Sequence, residues 1–177
     1  MSKKTLFLDR DGVINLQIIG GYVTKVDEFE FLPRVLEALS NLSKRFDYIF
    51  IVTNQQGIGK GVFSMNDLTG IHSFMLDKIK ERGGRIDKIY VSPYLETDNN
   101  IKRKPNAGMG LQALAEFPDI DLESAVMVGD SLPDMQFGEN LGIKTVYLSN
   151  GKPVDPDVYK ITDTVFTDLF DFSRNYK

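Results

Sequence analysis

The stretch Thr5-Leu6-Phe7-Leu8-Asp9-Arg10-Asp11-Gly12-Val13 decides the fold. Thr5–Leu8 has the length and apolar character of a buried strand, and it stops abruptly at two carboxylates and a glycine. Side chains alternate along an extended chain, so Asp9 and Asp11 point to one side and Arg10 to the other. Gly12 lets the backbone bend closely around whatever the carboxylates face. In an open α/β sheet, ligands bind at the carboxyl ends of the strands, where Asp9 falls. Two acids this close repel, which points to a divalent cation, or to a nucleophile working with an acid/base partner. An Asp-rich turn capping the next element is the competing reading of the same residues.

Working outward, the pattern recurs. Residues 49–52 form a second apolar run, which ends in Thr53-Asn54-Gln55-Gln56-Gly57, and residues 57–61 read as a glycine-rich loop containing Lys60. Residues 86–91 are a third strand, followed by a polar loop over 92–102 and by Arg103-Lys104-Pro105, with the proline opening a helix. A fourth run, 125–128, ends in Gly129-Asp130-Ser131-Leu132-Pro133-Asp134; 145–148 and 164–166 are shorter strands. Residues 13–25, with Gly20-Gly21, read as a loop or small hairpin able to act as a flap beside the first strand end.

Helical spacing fills the intervals. Leu32-Pro33 opens a helix with Val35, Leu36, Leu39 and Leu42 on one face. Ser64 with Asp67 resembles a capping box for a helix burying Leu68, Ile71, Met75, Leu76 and Ile79, stopped by Gly83-Gly84. His72, the one histidine, lies inside that helix without partners and reads as a packing or surface residue. Leu111, Leu114 and Ala115 mark the helix after Pro105; Met135, Phe137 and Leu141 mark another, ended by Gly142, and a short helix or tail follows Asp168. Strand and helix alternate without linker or repeat. The expected architecture is therefore α/β, a doubly wound and mainly parallel sheet with helices on both faces, one domain over 1–177 and no separate cap domain.

Composition narrows the function. A 177-residue chain that is 42% hydrophobic and 26% charged suits one globular domain with a sizeable core. A net charge of −4 argues against a dedicated nucleic-acid binder, and the absence of cysteine excludes disulfides and thiolate metal sites. No apolar run approaches membrane-span length and no signal-peptide pattern is present, so a cytoplasmic location and no membrane partner are expected.

Four strand ends carry chemistry: Asp9/Asp11, Thr53/Asn54, Arg103/Lys104 and Asp130/Asp134. Brought to one rim, they offer carboxylates for a cation, hydroxyl and amide groups, and two positive charges. Phosphoryl transfer needs this mixture, since its catalysis is chiefly positioning and charge neutralisation. Oxygen donors without Cys or clustered His favour Mg²⁺.

Taken in order, Asp9-Arg10-Asp11-Gly12, Thr53-Asn54, Lys104 and Gly129-Asp130 with Asp134 resemble the four motifs of the haloacid dehalogenase (HAD) superfamily of phosphohydrolases. Asp-Arg-Asp-Gly-Val-Ile-Asn (9–15), Gly-Tyr-Val (21–23), Phe-Glu-Phe (29–31), Thr-Asn-Gln-Gln-Gly-Ile-Gly (53–59), Arg-Lys-Pro (103–105) and Val-Gly-Asp-Ser-Leu-Pro-Asp-Met-Gln (128–136) are similar to the branch holding D-glycero-D-manno-heptose 1,7-bisphosphate phosphatases and histidinol-phosphate phosphatases. The resemblance implies a Rossmann-like fold and Mg²⁺-dependent hydrolysis of a small phosphorylated substrate through an aspartyl-phosphate. It implies Asp9 as nucleophile and metal ligand, and Asp11 as general acid/base with its carbonyl on the metal. Thr53 and Asn54 would hold phosphoryl oxygens, Lys104 would offset negative charge, Asp130 would complete the metal site and Asp134 would anchor it. Arg10, Gln55, Lys60 and Arg103 are expected to contact substrate, Lys60 through a second anionic group. The heptose bisphosphate 7-phosphate is the first expected substrate and histidinol phosphate the alternative; a nucleic-acid 3′ end and a non-catalytic phospho-ligand-binding role are further readings.

One departure stands out. Members of this branch commonly hold a structural zinc in the loop before Arg-Lys-Pro through a Cys-x-His and a Cys-x-Cys pair. The corresponding positions are Ser92, Tyr94, Asn100 and Lys102, which do not suit zinc. No zinc is expected, and the loop is expected to be ordered by packing through Tyr94 and Leu95.

Overall fold

A computed structural model describes residues 3–177. Six strands run in parallel in the order β3-β2-β1-β4-β5-β6: β1 (Thr5–Leu8), β2 (Tyr48–Asn54), β3 (Lys88–Ser92), β4 (Val126–Gly129), β5 (Lys144–Leu148) and β6 (Thr164–Phe166). The order reverses direction at β1, which sits between β2 and β4 at the centre of the sheet. Leu6, Phe7 and Leu8 are each wholly buried. Burying a side chain of this kind is worth about 1.5–3 kcal/mol.

The twofold alternation of strand side chains divides the core in two. Leu6 and Leu8, with Ile49, Ile51, Val126 and Val128, face one cluster; Phe7, with Phe50, Val52 and Met127, faces the other. Helices α1 (Val35–Leu42), α3 (Met65–Glu81) and α7 (Leu169–Asn175) cover the first face through Leu39, Met75 and Phe172. Helices α4 (Gly108–Glu116) and α5 (Leu132–Leu141) cover the second through Met109, Ala113 and Phe137. The expected doubly wound architecture is the one observed, all parallel, with no separate cap among the described residues.

Local expectations hold where a named hydrogen bond enforces them. At the start of α3 the Asp67 amide donates to Ser64 Oγ (3.1 Å) and the Ser64 amide to Asp67 Oδ2 (2.8 Å), completing the capping box. They fail where tertiary contacts intervene. Helix α1 starts after Arg34, not at Pro33: the Leu32 amide is held by the Ile14 carbonyl (3.0 Å), and Arg34 takes a left-handed φ of 59°. Residues 57–61 are not an open glycine loop, because Gln56–Gly59 forms a one-turn helix, α2. Its glycines allow close packing: a Cβ on Gly57 would lie 2.4 Å from the Phe63 ring, and one on Gly59 would lie 2.5 Å from the Pro93 carbonyl. Helix α4 begins at Gly108, whose amide bonds back to the Ile101 carbonyl, and it buries Met109 and Ala113 while Leu111 faces solvent. Residues 13–25 form a loop with no strand of its own, and a further helix, α6 (Pro156–Lys160), lies where no helix is expected.

Candidate active site

The parallel register sets the rim. Leu8 pairs with Ile51 on one side and Val128 on the other, so Asp9 leaves the sheet level with Gly129, the last residue of β4, while β2 runs on past it to Thr53 and Asn54. The Asp9 amide still donates to the Val128 carbonyl (3.0 Å), which fixes where its carboxylate emerges. Beside it opens a cavity of about 440 Å³, lined by Asp9, Asp11, Asn54, Lys104, Asp130 and Asp134 among others. That volume suits a small ligand.

Lys104 is the electrostatic centre. Its Nζ lies 2.8 Å from Asp9 Oδ1 and 2.6 Å from Asp134 Oδ1, and its side chain is almost fully buried. Burial alone would favour the neutral amine, but Asp134 and Asp9 more than offset it and hold the ammonium above its usual range. The other oxygen of Asp134 accepts from the Asp130 amide (3.2 Å), the Ser131 amide (3.1 Å) and Ser131 Oγ (2.6 Å). Asp134 therefore splints the turn that carries Asp130.

Asp9, Asp130 and Asp134 bring carboxylate oxygens within 4.8 Å of one another. Only one ammonium faces them, and Asp130 has no basic partner among the described residues. Burial and then the charge of Asp134 raise Asp9 to about 7; burial, Asp9 and Asp134 raise Asp130 to about 8. Acids this uneasy with their own charge fit a hard divalent cation bound through oxygen, and Mg²⁺ is of that kind. Gly12 makes the approach possible. Its φ is +83°, and a Cβ there would stand 1.9 Å from Asp130 Oδ2.

Asp11 is held differently. Its Oδ1 accepts from Arg10 Nη2 (2.8 Å) and Asn15 Nδ2 (2.9 Å), and its Oδ2 from Gln55 Nε2 (2.9 Å). Burial pushes this carboxyl up, yet the Arg10 charge and these hydrogen bonds outweigh it and keep the group below the ordinary carboxylate value. Asp9 and Asp11, two residues apart, thus have opposite electrostatic surroundings.

A HAD-hydrolase-like family model matches residues 101–171. The D-glycero-alpha-D-manno-heptose-1,7-bisphosphate 7-phosphatase of Campylobacter jejuni is 40% identical over 160 residues, covering 90% of each chain. The beta-anomer 7-phosphatase of Pasteurella multocida is 36% identical over 183 residues, covering 99% of this chain and 97% of its own. The chain belongs to the HAD superfamily, and it is a phosphatase. Among solved structures, the D,D-heptose 1,7-bisphosphate phosphatase from B. bronchiseptica, complexed with magnesium and phosphate, superimposes with a TM-score of 0.84 at 30% identity over 97% of this chain and 96% of that one.

The remaining residues singled out in the sequence are distributed unevenly around the phosphatase cavity. Lys60 and Arg103 line it and keep their charged ends outside the carboxylate cluster; Lys60 Nζ sits over the Tyr22 ring at 5.7 Å, and Arg103 Nη1 donates to the Tyr94 carbonyl (3.2 Å). Gln55 lines it too, bridging Asp11 and Thr53 Oγ1 (2.8 Å). Thr53 is fully buried under Gln55. The Asn54 side chain is committed to the main chain of Lys104, donating to its carbonyl and accepting from its amide, both at 3.0 Å. Arg10, expected as a substrate contact, forms part of the cavity floor, but its guanidinium is buried against Asp11 and His72.

Loop 92–102 is ordered by hydrogen bonds more than by packing. Tyr94 is exposed, while Asn100 caps the Lys102 amide through Oδ1 (2.9 Å) and receives the Arg103 amide (3.0 Å) and Asn106 Nδ2 (3.0 Å) on its carbonyl. Leu95 does pack, against the α2 turn at Gly59. Asn15, which closes the 9–15 motif, and Asn150 have no role assigned from sequence; Asn150 Nδ2 ties the segment after β5 to the Gly12 carbonyl (2.9 Å). The signal for Asn15 was its helical-turn spacing from Asp11, whereas nothing local marks Asn150.

Proposed function

We propose that this phosphatase removes the 7-phosphate of D-glycero-D-manno-heptose 1,7-bisphosphate through an aspartyl-phosphate on Asp9. The observation that carries the chemistry is the Asp9–Lys104–Asp134 arrangement, which holds a carboxylate oriented at the rim beside a cation cluster suited to a phosphoryl group. Asp9 attacks phosphorus, the bond from phosphorus to the sugar oxygen breaks, and Asp11 gives that oxygen its proton. Asp11, now a carboxylate, takes a proton from the water that attacks the phospho-aspartate; the phosphorus–Asp9 bond breaks and inorganic phosphate leaves.

Asp11 must carry a proton for the first step although its donors favour the carboxylate. A bound phosphoryl dianion repels that negative charge and raises the Asp11 carboxyl, so protonation accompanies substrate binding. Asp9 and Asp130, with the Asp11 carbonyl, are the groups that would hold Mg²⁺. When bound, Mg²⁺ supplies positive charge that screens the carboxylates and the transferring phosphoryl oxygens. Zinc is not part of this reading.

The substrate assignment is supported by the full-length relatives and by Lys60 and Arg103, two cations placed to meet a second phosphate away from the carboxylates. Its test is phosphate release across both heptose bisphosphate anomers, histidinol phosphate and a 3′-phosphorylated oligonucleotide, compared by kcat/KM. A heptose bisphosphate should lead by at least about tenfold. Preference for histidinol phosphate or the oligonucleotide would overturn the substrate, and no release from any of them would overturn the enzyme reading.

A further inference from the structure

Arg10 heads the large side chains that are fully buried, with 0% exposure. A buried guanidinium needs acceptors, and this one has few. Nη2 donates to Asp11 Oδ1 (2.8 Å), Nη1 lies 3.3 Å from His72 Nε2, and Nε has no partner. His72 is the residue that the sequence offered only as a packing or surface residue. It sits on the buried face of α3 between Ile71 and Met75, 8% exposed.

A guanidinium has only donors, so the contact requires a lone pair on Nε2, and the ring proton must sit on Nδ1. Burial first, then the Arg10 charge, lowers the imidazole to about 4 against the pull of Asp11, so the neutral ring is the form present at physiological pH. The result is a chain from α3 to the rim: imidazole, guanidinium, Asp11 carboxylate. With both ends of its planar fork engaged, Arg10 cannot pivot about the Asp11 contact. With Nη1 released it can, and the Asp11 carboxylate then keeps Asn15 and Gln55 but loses its one charged donor from a fixed direction.

We propose that His72 is a positioning residue for proton transfer, accepting from Arg10 Nη1 so that Nη2 fixes the Asp11 carboxyl. The inference rests on the reading of Asp11 as general acid. It extends the site from the sheet rim into helix α3, which touches neither phosphate nor metal ligands in that reading.

The test compares leaving groups. An alkoxide must be protonated as it departs, whereas 4-nitrophenolate leaves without a proton; kcat/KM reports steps up to phospho-enzyme formation and excludes the later hydrolysis. Wild type, Asp11→Asn and three His72 variants are assayed with 4-nitrophenyl phosphate and with the alkyl phosphate that wild type hydrolyses best. In Asp11→Asn the alkyl-to-nitrophenyl ratio should collapse; if it does not, the acid reading itself fails, independently of His72. Given that collapse, His72→Leu and His72→Asn, which remove or retract the acceptor, should lower kcat/KM for the alkyl phosphate about tenfold or more and for 4-nitrophenyl phosphate less than about threefold. His72→Gln, whose amide oxygen can reach the Nε2 position, should keep the ratio within about threefold of wild type. His72→Leu leaves a buried charge underpaired, so its melting temperature is checked; if it does not fold, the Asn and Gln pair decides alone. Equal losses for both substrates, or an unchanged ratio in His72→Asn, would overturn the proposal.

Discussion

Asp9→Asn should abolish turnover and, in the absence of metal, make the protein more stable. Asn has the shape of a protonated Asp, and the site favours that uncharged form. Burial, followed by the charge of Asp134, raises the Asp9 carboxyl from 3.8 to about 7 against the attraction of Lys104. Because the folded value lies above the unfolded one, the folded protein keeps its proton longer. Stability associated with Asp9 is complete below pH 4 and is lost as pH rises toward 7. At about 1.4 kcal/mol per pKa unit, the cost of ionised Asp9 has a ceiling of about 4 kcal/mol at pH 8. Asp9 keeps 14% of its side chain in solvent, and screening there leaves an expected gain of about 2–4 kcal/mol for the Asn variant. In a chain of this size that corresponds to about 5–10 °C in Tm. Calorimetry in EDTA should find the gap less than half as large at pH 5 as at pH 8. Saturating Mg²⁺ should shrink or reverse it, because binding stabilises the wild type by mass action. Phosphate release should fall by about 10⁴-fold or more. An Asn variant that melts at or below wild type in EDTA at pH 8 would refute the electrostatic argument, and retained turnover would refute the nucleophile.

Gly12→Ala should cost about 1–2 kcal/mol for its left-handed backbone and, by driving a Cβ into Asp130, raise the Mg²⁺ concentration for half-maximal activity about tenfold; an unchanged Mg²⁺ titration would count against Asp130 as a ligand. Lys104→Met leaves Asp9 and Asp134 facing each other without a cation, so a loss of about 3–5 kcal/mol at neutral pH is expected, smaller at pH 5 where the acids can protonate; denaturant melts at the two pH values read this directly. Elemental analysis should find no stoichiometric zinc, and Asn100→Ala should raise KM more than it lowers kcat, because Asn100 orders the loop that aims Arg103. Zinc at one equivalent, or a pure kcat defect, would contradict that account.

The sheet was legible because its central strands β1, β2 and β4 are local and buried on both faces. Leu6, Phe7, Ile49 to Val52 and Val126 to Val128 form short unbroken apolar runs, and their polar successors mark one rim. What escaped was set by contacts distant in sequence. Pro33 looked like a helix start, but the Ile14 carbonyl holds residue 32 outside α1. The glycines at 57 and 59 looked like a glycine-rich loop, but the Phe63 ring and the Pro93 carbonyl occupy the space where side chains would go. Leu111 fitted the helical face by spacing alone, and the true face of α4 is set by Met109 and Ala113 against Phe137 on the neighbouring helix.

The site divides along the same line. Carboxylates and cations at strand ends could be read directly, since a charge at the rim of a parallel sheet has few structural uses. The roles of the uncharged and buried groups could not. Alternation along the strand put Arg10 on the side away from Asp9, and the family resemblance made it a substrate contact. In three dimensions that side leads under the rim to His72, and the guanidinium bends back to its own neighbour Asp11. Asn54 and Gln55 behave similarly, one clamping the main chain of Lys104 and the other joining Asp11 to Thr53. These groups hold the charged residues at fixed positions, and this matters because phosphoryl transfer gains most of its rate from positioning and preorganised charge. A sequence displays which charges are present. The tautomer of one buried histidine, and the plane of the guanidinium it holds, emerge only once the helix carrying residue 72 is packed against the strand that ends just before residue 9.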